Sequence, residues 1–416
     1  MYSAYLRFKI LQGGAEMKKK YVKFRHKFFF TVLRPIVRII AHKLHFKTKP
    51  YKLEKKKNYL ILSNHQGYMD PAFIVLTIKR PIYFIASDAI YSQKWYLRLL
   101  FYCFGPIKKR KGFADIASIR TMCTIAKEGG NVAVFPEGNR QWNDSVFYID
   151  RAIVKLVRLI KLPVILYNFH GGYGVQPRWG KSLRKGKHTG RVREILSWES
   201  ISAMSDDELY EKIITGLKVI DSESGELYKS DERAEYLERQ FFICPKCGAQ
   251  SSLHSHGKDI ECAKCGLIVT YGEDLHISSP DPGFKFKKLV DWYDYQLQYV
   301  RDYDLDSADV LFSDENVNLY DKTEKERVLV ASGRLTLTRD ELSVGNFVIP
   351  TASISGCSGQ DGTKFSFNAE EKSYLAIGDE RFNPIKYLLF FNRVCKQIAE
   401  QGGDKYYGLY LNPNLR

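Results

Sequence analysis

The sequence predicts an α/β protein, a sheet with flanking helices, followed by a cysteine-rich ribbon and a small β-rich domain with a C-terminal helix. Three observations carry this. From residue 58 short apolar runs alternate with helical segments, two C-x-x-C pairs stand close together beyond residue 240, and after residue 276 short alternating runs are divided by turns. At 416 residues the chain exceeds what one ordinary core accommodates, so two or three domains are expected.

In order, YLILS (59–63) reads as a strand, PAFIVLTI as a helix, IYFIAS (82–87) as a strand and SQKWYLRLLFYCF (92–104) as a helix opened by Ser92. ADIASIRTMCTIAKEGG follows as a helix ended by Gly129 and Gly130, then NVAVF (131–135) as a strand, DRAIVKLVRLIKL as a helix and PVILYNF (163–169) as a strand. Such alternation implies helices packed on a sheet, with functional groups gathered at strand ends. Residues 216–240 are expected to be a helical connector, because SDERAEYLERQ is charged and helix-compatible.

Over 241–275, CPKCG (Cys244, Cys247) and CAKCG (Cys262, Cys265) set two paired turns around one tetrahedral ion. This is the logic of a zinc ribbon with a structural zinc, and it outweighs a disulfide or redox dithiol because no export signal is seen. Cys103, Cys123, Cys357 and Cys395 lack paired spacing and read as buried core thiols. Beyond 276 the helix DWYDYQLQYVRDY precedes RLTLTRDELSVG, NFVIP, KFSFN and SYLAIG, and a helix opened by Asn383 and Pro384 is closed by Gly402 and Gly403. Hairpins with one terminal helix suggest a small barrel or sandwich over 276–416, resembling a pleckstrin-homology domain in topology.

Charge divides the chain. Residues 1–193 hold 39 Lys+Arg against 9 Asp+Glu, which leaves 25 basic and 38 acidic residues for 194–416. The densest tract, 17–57, has fifteen Lys/Arg against the single Glu54, mixed with FFFTVLRPIVRIIA. Arg34, Pro35 and Arg38 interrupt it, so no run reaches the ~18 apolar residues of a spanning helix. Residues 1–57 are therefore expected to form short amphipathic helices lying on anionic lipid at the cytoplasmic side of the cell membrane. A nucleic-acid arm would not need so many Phe, Ile and Val beside its cations, and no nucleic acid is expected. The first sixteen residues lack an apolar core and a cleavage site, which argues against a signal peptide, and LQGGAE ahead of Met17 makes Met17 the expected start.

Within 58–215 one histidine–carboxylate pair stands out. His65 follows a strand, and Asp70, before Pro71, is expected to cap the next helix with one oxygen and orient the imidazole with the other. Spacing does not single it out, since His254 with Asp259 and His276 with Asp281 repeat it, the first in a polar stretch and the second beside a turn. His170 and His188 read as surface residues of Gly- and Lys-rich loops. The cluster RWGKSLRKGKHTGR (178–191) reads either as a solvated loop or as a contact for headgroups or coenzyme A phosphates.

Further strand ends bear GPIKKR with Arg110, FPEGNR with Glu137, Gly138 and Arg140, and LPVILYNF. In that order, with NHQGYMD first, these blocks resemble the four motifs of the glycerolipid acyltransferase family, which includes 1-acyl-glycerol-3-phosphate (lysophosphatidic acid) acyltransferases; the resemblance covers about 58–175. It implies an acyltransferase moving a fatty acyl group from acyl-CoA or acyl carrier protein to 1-acyl-glycerol 3-phosphate in phospholipid biosynthesis. By the same resemblance His65 is the general base, Asp70 its orienting partner, and Arg110 and Arg140 bind the acceptor phosphate. Glu137 and Gly138 fill the acidic and glycine positions, and no catalytic metal is needed. Asn139 stands where Thr is usual and Gly67 where Ser is common, so acceptor specificity is not carried over. Other lysophospholipid acceptors or glycerol 3-phosphate remain open, as does a zinc-ribbon scaffold binding membrane or nucleic acid without catalysis.

Overall fold

The computed structural model describes residues 20–87, 95–109, 116–144, 148–307, 309–324, 326–360 and 362–401. Its first sheet orders seven strands as β1 (Phe46–Thr48), β7 (His188–Leu196), β6 (Val164–His170), β2 (Leu60–Ser63), β5 (Asn131–Val134), β3 (Ile82–Ser87) and β4 (Ile107–Lys109). Pairing is parallel except between β6 and β7, so β1 and β7 run against the rest. The strands β2 and β5 are buried along their whole length. Such strands read as unbroken apolar runs because helices cover both faces.

Alternate residues of β2 divide the core. Leu60 and Leu62 pack with Met122 and Ile125 of α5 (Ile116–Lys127), with Val157 of α6 (Ala152–Ile160), and with Ile213 of α9 (Asp206–Leu217). Ile61 faces the other way, toward Phe30 of α1 (Phe24–Val32), Ala41 of α2 (Arg34–Lys43), and Phe73 and Leu76 of α3 (Asp70–Thr77). The period-2 geometry of a strand makes this division, so alternate residues of β2 anchor the helix layers on opposite faces. Helix α4 (Trp95–Phe104) packs beside α1 through Phe30 and Phe104.

The edge strands differ from expectation. β1 lies within the tract expected to be wholly membrane-associating, and its Phe46 pairs with His188 of β7. His188 is thereby buried among Phe46, Phe73 and Phe169 rather than exposed in a loop, while His170 is half-buried at the end of β6. The basic cluster after Pro177 is not uniformly solvated either: Arg178, Trp179 and Arg184 are buried.

Past the short helices α7 (Gly172–Val175) and α8 (Trp198–Ala203) and the long α9, the expected helical connector is absent over 218–240. Two single 3-10 turns, Asp221–Glu223 and Leu237–Arg239, stand there, and the charges serve tertiary contacts: Glu238 and Glu235 both bind Arg381. The next sheet is an antiparallel meander of β8 (Leu253–His256), β9 (Asp259–Cys262), β10 (Ile268–Tyr271) and β11 (Ile277–Ser278). Trp292 and Gln296 of α10 (Leu289–Asp302) bind the backbone of Ile243, Phe242 and Gln240, fastening the helix to the cysteine turns.

The last sheet has seven antiparallel strands, β12 (Phe312–Asp321), β13 (Val328–Leu337), β14 (Glu341–Val344), β15 (Phe347–Pro350), β16 (Ile354–Gln360), β17 (Lys364–Ala369) and β18 (Lys372–Ile377). Its order β15-β14-β13-β12-β18-β17-β16 joins two antiparallel meanders through the pairing of its first and last strands, β12 and β18. That helix, α11 (Pro384–Gln401), is capped by Asn383, whose Oδ1 accepts from the amides of Ile385 and Lys386. The glycines expected to close it lie outside the described residues. Of the four cysteines outside the C-x-x-C pairs, Cys103 is buried as expected, whereas Cys123, Cys357 and Cys395 are half-buried.

Candidate active site

His65 stands just beyond the end of β2. Where the ladder stops, Asn64 extends it with its side chain, donating from Nδ2 to Phe169 O (2.9 Å) and accepting the Phe169 amide on Oδ1 (2.8 Å). The amide group thus replaces a backbone pair and fixes the start of the 65–70 turn.

The imidazole Nδ1 lies 2.9 Å from Asp70 Oδ2. A carboxylate receiving further amide donors can only accept, so Nδ1 carries the proton and Nε2 presents the lone pair. The expected division of labour within Asp70 is corrected. Met69, not Asp70, precedes the helix, and Oδ2 alone takes His65 Nδ1 and the amides of Gln66 (2.8 Å) and Gly67 (2.9 Å). Oδ1 is buried without a hydrogen-bond partner among the described residues. Asp70 therefore caps the histidine turn rather than the helix that follows.

The FPEGNR loop holds the other side. Glu137 Oε1 accepts the His65 amide (2.8 Å), the Gln141 amide donates to His65 O (2.9 Å), and the Phe135 ring stacks on the imidazole at 4.2 Å. Gly138 adopts φ +69°, a left-handed conformation that a side chain resists, which explains glycine at the turn between Glu137 and Arg140. Burial lowers the His65 pKa below its ordinary value; the Asp70 bond and charge oppose this, and the cations of Arg140 and Arg178 add to it. With 18% of its side chain exposed, the imidazole stays reachable from solvent. Arg110 lies outside the described residues.

Three participants escape local sequence patterns. Gln66 accepts the Gly172 amide on Oε1 (2.9 Å) and donates to Asp221 Oδ2 (3.2 Å), while Asp221 Oδ1 accepts the Gly171 amide (2.7 Å). Burial, then the nearby carboxylate of Asp144, pushes Asp221 up to about 7. Arg178 donates to Arg140 O (3.3 Å) and lies over the Trp142 ring. Gln66 lies within NHQGYMD and Arg178 within the basic cluster 178–191, but neither stretch names these partners, and Asp221 lies in no motif.

The four expected metal ligands converge. Sγ atoms of Cys244, Cys247, Cys262 and Cys265 all lie within 4.8 Å of one another, with Cys244–Cys265 at 3.6 Å and Cys247–Cys262 at 3.8 Å. A tetrahedron with metal–sulfur bonds of ~2.3 Å has sulfur–sulfur edges of ~3.8 Å, so the cluster fits such an ion. Both turns are built alike: Gly248 and Gly266 donate their amides to Cys244 O and Cys262 O at 2.9 Å. His254 is exposed on β8, and His276 meets Asp274 (3.1 Å) rather than Asp281, which pairs with Lys246.

Residues 45–167 match the profile of the Acyltransferase family. Over 178 residues, 39% of this chain and 69% of the relative, the sequence is 23% identical to a 1-acyl-sn-glycerol-3-phosphate acyltransferase of Borreliella burgdorferi. A crystal structure of a 1-acyl-sn-glycerophosphate acyltransferase from Thermotoga maritima aligns with TM-score 0.39 and 18% identity, covering 51% of this chain and 85% of that one. The segment that carries NHQGYMD and FPEGNR thus matches the Acyltransferase family and is similar to 1-acyl-sn-glycerol-3-phosphate acyltransferases.

Proposed function

We propose that the protein transfers a fatty acyl group from a thioester of coenzyme A or acyl carrier protein to the free hydroxyl of 1-acyl-glycerol 3-phosphate, giving phosphatidic acid. The observation that carries this reading is the His65–Asp70 pair, 2.9 Å apart and braced by Glu137 in the loop that bears Arg140. His65 Nε2 takes the hydroxyl proton as the oxygen attacks the thioester carbonyl. The intermediate then collapses, expelling the thiolate, which recovers the proton from the imidazolium. Asp70 holds the tautomer, and Arg140 offers a planar guanidinium to the acceptor phosphate.

A lipid substrate calls for a site at the bilayer. Phe24, Phe28 and Val32 recur every fourth residue on α1 and are at least half exposed, as are Ile36 and Ile39 on α2. Among the described residues no helix is long and apolar enough to cross a membrane. The exposed stripe with its flanking Lys and Arg supports seating of both helices in the interface of an anionic membrane. On the same reading Cys244, Cys247, Cys262 and Cys265 hold zinc, which supplies a structural cross-link and no step of the transfer.

The test incubates purified protein with acyl-CoA or acyl-acyl carrier protein and a panel of acceptors, including 1-acyl-glycerol 3-phosphate, other lysophospholipids and glycerol 3-phosphate, and identifies products by mass. Phosphatidic acid formed by the wild type and abolished in a folded His65→Ala variant is expected. Product from another acceptor alone would replace the proposed substrate, and full activity in the variant would remove His65 as the base.

A further inference from the structure

Trp142 follows Arg140 by two residues, yet it packs with the C-terminal half. It is 2% exposed and joins Trp179, Phe365 and Ile385 in one hydrophobic cluster. Against its ring lies Gly359 of β16, where a Cβ would stand 3.2 Å from Trp142 Cζ2. Contacts that tight force the neighbour to move by tenths of an ångström, so glycine here lets a strand of the last sheet press on the loop of Arg140.

Arg178 completes the connection. Its guanidinium lies 4.0 Å from the Trp142 ring centroid, donates from Nη1 to Arg140 O (3.3 Å) and donates from Nη2 to Gly359 O (2.7 Å). One planar group thus bridges two carbonyls 219 positions apart in sequence, 140 and 359, while stacking on the ring between them. A lysine ammonium has no planar fork with which to repeat this. The loop it holds is the one whose Gln141 amide and Glu137 carboxylate bind the backbone of His65.

We propose that β16, acting through Arg178 and Trp142, sets the position of Arg140 and so the affinity for the anionic acceptor, making the C-terminal sheet a working part of the acyltransferase site. This rests on the acyl-transfer reading above. Arg178 is here a positioning residue: it acts on substrate through the main chain of Arg140.

The test uses the full-length chain with Gly359→Val, which crowds Trp142 from the far sheet, and Arg178→Lys, which keeps the charge but loses the bridge. Hydrogen–deuterium exchange of peptides spanning 135–144 and steady-state kinetics with acyl-CoA and 1-acyl-glycerol 3-phosphate are measured on both. Exchange over 135–144 is expected to quicken in both variants, with acceptor KM raised about five-fold or more, donor KM nearly unchanged, and kcat, which the same loop supports through His65, lowered by a smaller factor than acceptor KM is raised. Unaltered exchange in both variants overturns the coupling, as does an unchanged acceptor KM in Gly359→Val, and wild-type behaviour of Arg178→Lys shows that charge alone suffices and overturns the bridge. Failure of the wild type to transfer acyl groups would instead defeat the acyltransferase reading, and the exchange arm still decides whether β16 governs the loop.

Discussion

Asp70 Oδ2 gathers the Nδ1 proton of His65 and the amides of Gln66 and Gly67, so one oxygen fixes both the tautomer of the imidazole and the turn that carries it. Replacing Asp70 with Asn should leave the fold in place, because the amide oxygen can still accept, but it offers Nδ1 a donor in the other rotamer. We expect kcat to fall about 10³- to 10⁴-fold with acceptor KM little changed. Stopped-assay kinetics and a far-UV spectrum check this; a fall below tenfold would separate Asp70 from the chemistry.

The pH profile follows from the cations around the base. Burial, with Arg140 and Arg178, holds the imidazole below its ordinary pKa, so the neutral form is present at pH 7 and activity should decline only on the acid side, with an inflection below 6.5. Removing a positive charge favours the imidazolium, and Arg140→Gln should therefore move that inflection upward. Rates of kcat/KM between acid and neutral pH measure it, and a downward move would reverse the assignment.

His188 gives stability its own pH dependence. In its cage of Phe46, Phe73 and Phe169 its pKa is lowered by burial to about 4. Between about 6.5 and 4 the unfolded chain binds the extra proton, so stability is lost as pH falls, by roughly 2 kcal/mol at pH 5 from this residue. Asp221, raised to about 7, works in the opposite sense over much of the same window. On going from neutral pH to pH 5, His188→Gln should therefore gain stability relative to the wild type by roughly 2 kcal/mol, read from the urea midpoints of both proteins at each pH, and a pH-independent difference between them would place the titration elsewhere.

Purified protein should carry about one zinc ion per chain, and Cys262→Ser should lose it together with the ribbon's order. Cys244 and Cys262 share a hydrophobic cluster with Trp142 and Leu389, so the loss should also lower the melting temperature of the whole chain. Elemental analysis and thermal melts with and without chelator test both points; a metal-free protein of unchanged stability would leave the cysteines without a ligand role.

Vesicle co-sedimentation tests the two helices. Vesicles containing phosphatidylglycerol should bind the protein, and added salt should weaken binding. Phe28→Glu with Ile39→Glu should reduce it by about tenfold or more per side chain, since each removes an exposed apolar group from the stripe on α1 and α2. Undiminished binding by the double variant would assign that stripe to another partner.

Much of the sheet was legible because β2, β3, β5 and β6 are apolar runs between helices, and helix layers on both faces require that pattern. The edge was not. β7 reads HTGRVREIL, whose charges suit a strand with one wet face yet resemble a loop, and β1 has only three residues. His65, Asp70, Glu137 and Arg140 stood out as candidates because each sits in a short motif. Gln66 with Asp221 and Arg178 with Gly359 did not, for these contacts join residues 155 and 181 positions apart and leave no local periodicity. The charges of 216–240 promised a helix and instead clamp Arg381 and line turns, a case of tertiary contacts overriding propensity.

Both backbone polar groups of His65 end in the FPEGNR loop, the amide on Glu137 and the carbonyl on Gln141. The two segments are therefore one transplantable cassette rather than two exchangeable parts. A chimera that imports this loop from a relative to alter acceptor choice must bring the matching histidine turn with it. Grafted alone, the new loop would inherit a histidine turn braced for a different neighbour.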